Sequence, residues 1–117
     1  MKESVLTAQI LSYARGGGCF AVKWYGSVYG SGGMPDVFSL VPSVVPSKSY
    51  PVPVLIEVKT PGNKPTPRQS KVLRDLRKVG AVAFWTDNLS EVAWVLEILR
   101  GGQFCGFEYA ASGRLRL

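Results

Sequence analysis

The residues best suited to chemistry in this sequence are Asp36, Glu57 and Lys59. Glu57-Val58-Lys59 lies in an apolar run that reads as a strand. Residues two apart on a strand share a face, so Glu57 and Lys59 project together while Ile56 and Val58 turn the other way into a core. Asp36 stands at the mouth of the preceding predicted strand, and their short separation in sequence makes pairing of the two strands the expected arrangement. Two carboxylates and one ammonium then converge. Asp36 and Glu57 are hard oxygen donors of the kind Mg²⁺ takes, with the backbone carbonyl of Val58 as a further ligand and Mn²⁺ as a possible substitute. Lys59 supplies a flexible point charge that can hold or activate a water and offset charge on a phosphate. Hydrolysis of a phosphodiester makes these demands.

These side chains need a framework to bring them together. Leu6, Ile10 and Tyr13 recur at helical spacing between Lys2 and Arg15, and Gly16-Gly17-Gly18 stops that helix. Phe20–Tyr25 reads as a strand, Gly26–Gly33 as a mobile turn beside the site, and Asp36–Val41 as a second strand opened by Pro35. Pro42–Pro53 is rich in proline and serine and reads as a surface excursion. A third strand, Val54–Lys59, leads to a helix that starts with Thr66 as N-cap and Pro67 at its first position and ends at Val79 before Gly80. Ala81–Trp85 is a buried strand, and Asn88 with Glu91 resembles a capping box opening a helix over Leu89–Arg100. Two short strands are expected around Ser112-Gly113. The order αβββαβα plus short C-terminal strands predicts a mixed β-sheet flanked by helices, an α/β (α+β mixed) fold in one domain covering residues 1–117.

Composition narrows the chemistry. Fourteen Lys and Arg against eight Asp and Glu give a net charge of +6, which favours an anionic partner. There is no histidine, so Ser-His and Cys-His nucleophile pairs and histidine-ligated zinc are excluded. Cys19 and Cys105 lack zinc-site spacing and read as reduced core residues. No apolar run is long enough to span a bilayer, and the start leads into an amphipathic pattern instead of a signal-peptide core, so the expected address is the cytoplasm. The glycine loop lacks the order of a phosphate-binding loop, so no nucleotide cofactor is expected.

Gly33-Met34-Pro35-Asp36, followed by Ile56-Glu57-Val58-Lys59 and by Gln69 on the next helix, resembles the PD-(D/E)xK nuclease superfamily, and within it the virus-type replication-repair nuclease (VRR-NUC) domains. A glutamate in the first helix, Glu3, completes the ordered set, which spans Glu3 to about Trp85. The resemblance implies a restriction-endonuclease-like fold and a Mg²⁺-dependent endonuclease that acts as a homodimer on branched DNA such as four-way junctions, in a bacterial or phage-infected cell. It also implies catalytic roles for Gln69 and Glu3 beside Asp36, Glu57 and Lys59.

Each residue also has a plainer reading. Glu57 and Lys59 could be an exposed pair on a sheet edge, and Asp36 a turn residue. Thr66-x-x-Gln69 is a capping box, which would account for Gln69 without catalysis. Glu3 could simply favour the start of a helix. Arg68, Lys71, Arg74, Arg77 and Lys78 crowd one helix whose buried side carries Val72, Leu76 and Val79. They form a solvated face or, in a nuclease, a phosphate-binding track to which Lys23 and Lys64 add. Trp94 and Ile98 give the last helix a second apolar patch, suited to a dimer contact or to further core packing. The rival function is a non-catalytic basic module that binds nucleic acid on a nuclease-like fold. A membrane-surface role fails for want of a basic amphipathic helix with a broad aromatic face.

Overall fold

The computed structural model describes residues 1–24, 33–42, 50–101 and 107–116. Its elements run α1 (Glu3–Gly16), β1 (Phe20–Lys23), β2 (Val37–Val41), β3 (Val52–Val58), α2 (Pro67–Lys78), β4 (Val82–Thr86) and α3 (Leu89–Arg100). The strands form one sheet in the order β1-β2-β3-β4. The first three are antiparallel and β4 is parallel to β3, which makes the mixed sheet with three helices expected from the sequence. The parallel step follows from the chain crossing through α2 before it re-enters the sheet.

One face of the sheet carries the main core. Leu6, Ile10 and Ala14 of α1 meet Val92, Val95, Leu96 and Leu99 of α3 over Val37, Val41, Val54, Ile56, Val58 and Phe84. Helical spacing in α1 and period-two alternation in the strands place these residues on facing surfaces. The opposite face has a smaller core, in which Leu73 of α2 packs with Leu55, Ala83 and Trp85, and Phe38 lies at its margin. Glu57 shares this second face with Leu55 because the two are separated by one residue on β3.

Local chemistry sets the helix starts and stops. Thr66 accepts from the Gln69 N–H at 3.2 Å while the Gln69 side chain accepts from the Thr66 N–H at 2.9 Å, so the capping box of α2 is complete. Asn88 caps α3 by accepting from the Glu91 N–H at 3.0 Å. Glu91 does not return the bond to the N-cap backbone. It is buried and turned instead toward Thr86 and Arg114.

Several expectations are corrected. β3 starts at Val52 and takes in Pro53, which pairs with Leu40 near the strand's beginning, where a missing N–H is tolerated. Val79 is the C-cap of α2 and is 83% exposed, because the helix has ended before the residue can turn inward. Arg77 is not a free surface cation: its guanidinium donates to the Ala83 carbonyl at 2.8 Å and lies 4.6 Å from the Tyr109 ring centre. The C-terminal strands reduce, among the described residues, to a single antiparallel bridge between Tyr109 and Leu115. Trp94 packs edge-on against Phe107 at 5.9 Å and lies partly buried against the main core. Cys19 is buried with a free thiol. Tyr25, most of the glycine loop, most of the Pro42–Pro53 excursion and Cys105 lie outside the described residues.

The C-terminal turn is fastened by a polar network that the linear sequence did not reveal. Arg114 donates to both Asp87 and Glu91 and lies 4.8 Å from the centre of the Trp85 ring, while the Trp85 indole N–H donates to the Ser112 carbonyl at 2.9 Å. Arg114→Met leaves the buried Glu91 without its cation and is expected to cost about 2–4 kcal/mol, read by urea denaturation at pH 7. A loss under about 0.5 kcal/mol would show the network to be ornamental. Arg114 also holds Asp87 below its ordinary value of 3.8. That part of the stability is complete above pH 3.8 and is lost as pH falls through the lower folded value.

Candidate active site

The sheet register assembles the site. Val37 pairs with Ile56 across β2 and β3, so one step further Asp36 faces Glu57. Lys23 pairs with Val37 across β1 and β2, and the Trp24 N–H donates to the Asp36 carbonyl at 2.7 Å, which puts Trp24 opposite Asp36 on the other side. Glu57 pairs with Trp85 on β4. Trp24, Asp36, Glu57 and Trp85 thus form a row across one end of the sheet, on the face that α2 covers only in part. Neighbours in such a row are about 4.5–5.5 Å apart at Cα.

Asp36 is anchored from β3, since the Val58 N–H donates to its Oδ2 at 2.8 Å. The approach to Asp36 is shaped by Gly33, whose φ is +101° and where a Cβ would lie 3.0 Å from Arg68 Cγ and 3.3 Å from the Arg68 carbonyl oxygen. Only glycine accepts both that backbone conformation and that closeness to the first turn of α2. Pro35, buried, fixes the backbone directly before Asp36. The Gly-x-Pro-Asp turn therefore has a steric reason that involves no catalysis.

Glu57 forms the floor of the site at 2% exposure, with Asp36 half-buried and the Lys59 side chain 13% exposed. Lys59 Nζ lies 3.6 Å from Glu57 Oε1, an ion pair without a tight hydrogen bond. Oε2 is buried with no hydrogen-bond partner. Leaving a charged oxygen in that state is costly, and the carboxyl holds a proton instead. Burial first, then the Asp36 carboxylate, raise Glu57 from its ordinary value of 4.5 to about 8. Lys59 pulls it down, while the charge of Glu3 pushes it up.

An unpartnered buried carboxylate oxygen facing a second carboxylate has the donor chemistry of a divalent-cation site, and the ion would supply the positive charge that the protein leaves out. Asp36 and Glu57 are the residues that would hold it. Among the described residues no group of three or more His, Cys, Asp or Glu side chains meets in a metal-binding cluster. Val58, whose carbonyl is the further ligand expected from the sequence, reaches the site through its N–H, which donates to Asp36.

The remaining expected site residues are placed less centrally. The carboxamide oxygen of Gln69 is engaged in the capping box, and no hydrogen bond joins Gln69 to Asp36, Glu57 or Lys59. Of its two readings from sequence, the cap is the one with contacts. Glu3 is the exposed first residue of α1, near enough to act on Glu57 through its charge. Lys71 pairs with Asp75 at 2.8 Å on the exposed face of α2, Lys64 is exposed in the turn before that helix, and Lys23 and Arg68 lie at the ends of elements flanking Asp36. Trp24 escaped the sequence reading, because its place beside Asp36 depends on the β1–β2 register.

The fold and the site together define a class: a small α/β chain with an acid pair and a lysine at one end of a mixed sheet. The chain matches no family model, no curated protein and no solved structure. No helix among the described residues is long and apolar enough to cross a membrane.

Proposed function

We propose that this chain is a divalent-cation-dependent deoxyribonuclease that hydrolyses phosphodiester bonds. One observation carries the reading: Asp36 stands opposite Glu57 across β2 and β3, and Glu57 has one buried oxygen without a hydrogen-bond partner and the other 3.6 Å from the Lys59 ammonium. Asp36 and Glu57 would hold Mg²⁺, or Mn²⁺ in its place, and the ion would supply Lewis acidity toward the phosphoryl oxygens. Lys59, tethered beside Glu57 and partly open to solvent, offsets charge on the phosphate and orients the attacking water. The net charge of +6 and the basic face of α2 favour a polyanionic substrate. Branched DNA, action as a homodimer, a cytoplasmic setting and the VRR-NUC family itself rest on the sequence resemblance alone.

The rival reading, a basic module that binds nucleic acid without cutting it, draws support from the absence of a third acidic ligand among the described residues. Labelled linear, flapped and four-way DNA incubated with the protein and Mg²⁺, Mn²⁺ or EDTA separates the two. The nuclease cuts at least one of these with metal and none with EDTA. Binding that persists with no product in any arm would establish the rival.

A further inference from the structure

Beside the acid pair, on the same face of the sheet, lies an open apolar groove of about 540 Å³. Trp24, Phe38, Tyr50, Pro53, Leu76 and Val79 are prominent among its lining residues. Leu73 packs α2 over β3 and β4, and among the described residues no helix covers the same face of β1 and β2. The size of the groove falls within the roughly 300–1,000 Å³ of small-molecule pockets. Trp24 rests on Phe38 at 5.7 Å between ring centres and is still 39% exposed, while Tyr50 at the rim is more exposed. Trp24 therefore offers a supported aromatic surface one strand away from Asp36.

Leu76 of α2 and Val79, the residue that caps it, complete the wall. The chain as a whole carries a net charge of +6. An open apolar slot with an exposed aromatic wall, one strand away from the site proposed to engage a phosphate, complements a nucleobase attached to its phosphate backbone. A second protein surface of apolar character would leave unused the placement of Trp24 directly opposite Asp36.

We infer that the groove binds an unstacked nucleobase of the polynucleotide whose phosphate lies at Asp36, Glu57 and Lys59, with Trp24 as the stacking residue. The inference takes its partner from the proposed nuclease reading and adds a positioning device to it. A base drawn onto Trp24 orients the neighbouring phosphate toward the acid pair. Substrates whose bases are already unpaired pay less to enter, so they bind more tightly than intact duplex.

The test is binding of the full chain in EDTA, which prevents cleavage, to a fluorescent oligothymidylate and to an abasic strand of the same length and charge, by anisotropy and intrinsic tryptophan quenching. The wild type is expected to prefer the base-bearing strand by about tenfold or more, with quenching. Trp24→Ala removes most of that preference and leaves abasic-strand binding in place, and Trp24→Phe restores most of it. Val79→Glu, at a site exposed enough to spare the fold, also lowers the preference by setting a negative charge in the wall. Equal affinity of the wild type for both strands would overturn the inference, as would a preference that survives both Trp24→Ala and Val79→Glu. Dissociation of a dimer by Trp24→Ala with the base preference intact would assign the groove to a second copy of the chain and equally overturn it. Metal-dependent cutting without a base preference sinks the groove alone; a base preference without metal-dependent cutting sinks the nuclease reading alone.

Discussion

Glu57→Gln is expected to reduce DNA cleavage by roughly a hundred- to thousandfold or more while making the metal-free protein more stable at pH 8. The two effects have one cause. In the native protein Glu57 is buried, one oxygen has no partner, and its ionisation is pushed to about 8. A folded value above the ordinary 4.5 means that its favourable contribution is complete below pH 4.5 and is lost as pH rises toward 8. Glutamine has the same shape and never ionises, so the variant escapes that loss. Urea denaturation in EDTA should show the variant more stable by about 1–3 kcal/mol at pH 8 and close to the wild type at pH 5.

Neighbouring variants sharpen the result. Asp36→Asn keeps an oxygen to accept the Val58 N–H, so the fold should survive while the proposed cation ligand is lost. Lys59→Ala spares both carboxylates and should cut cleavage by a similar factor with cation binding retained. Wild-type cleavage rates in all three would refute the assignment. An unchanged Glu57→Gln stability difference between pH 5 and pH 8 would show that the buried carboxyl does not govern the site.

The second large effect expected from the proposed function is a proton released on binding of the divalent cation. Because Glu57 holds its proton up to about pH 8, a cation ligated there would have to displace it. Affinity for Mg²⁺ or Mn²⁺ should tighten by about tenfold per pH unit as pH rises toward 8 and level off above it. Calorimetric titration with Mn²⁺ in two buffers of different ionisation enthalpy, from pH 6.5 to 8.5, reads the proton count directly. Glu57→Gln should bind weakly, with a much flatter pH profile. The same linkage makes added cation stabilise the wild type more at pH 8 than at pH 6. A flat affinity for the wild type across this range would mean that Glu57 does not ligate the ion.

Much of the scaffold was legible because it is written in local code. Thr66-Pro67 and Asn88 mark helix starts by satisfying free N–H groups within a few residues, and α3 spans Leu89–Arg100 as its spacing predicts. The departures fall where long-range pairing overrides local preference. Pro53 belongs to β3 because Leu40 lies opposite it, and Val79 is exposed because α2 ends one residue earlier than expected. Glu91 had the spacing of a reciprocal cap, but Arg114, 23 residues away, competes for its carboxylate. No window of a few residues contains that competition.

The types and order of Asp36, Glu57 and Lys59 were set by the amino-acid sequence alone, and with them the exclusion of histidine chemistry and the shared face of the Glu57–Lys59 pair, since strand alternation is a property of the backbone itself. Tertiary structure decided which strands became neighbours. That choice set Asp36 across from Glu57, brought Trp24 into the same row, buried the Glu57 carboxyl and raised its proton affinity, because register and desolvation arise only when segments distant in the chain pack together.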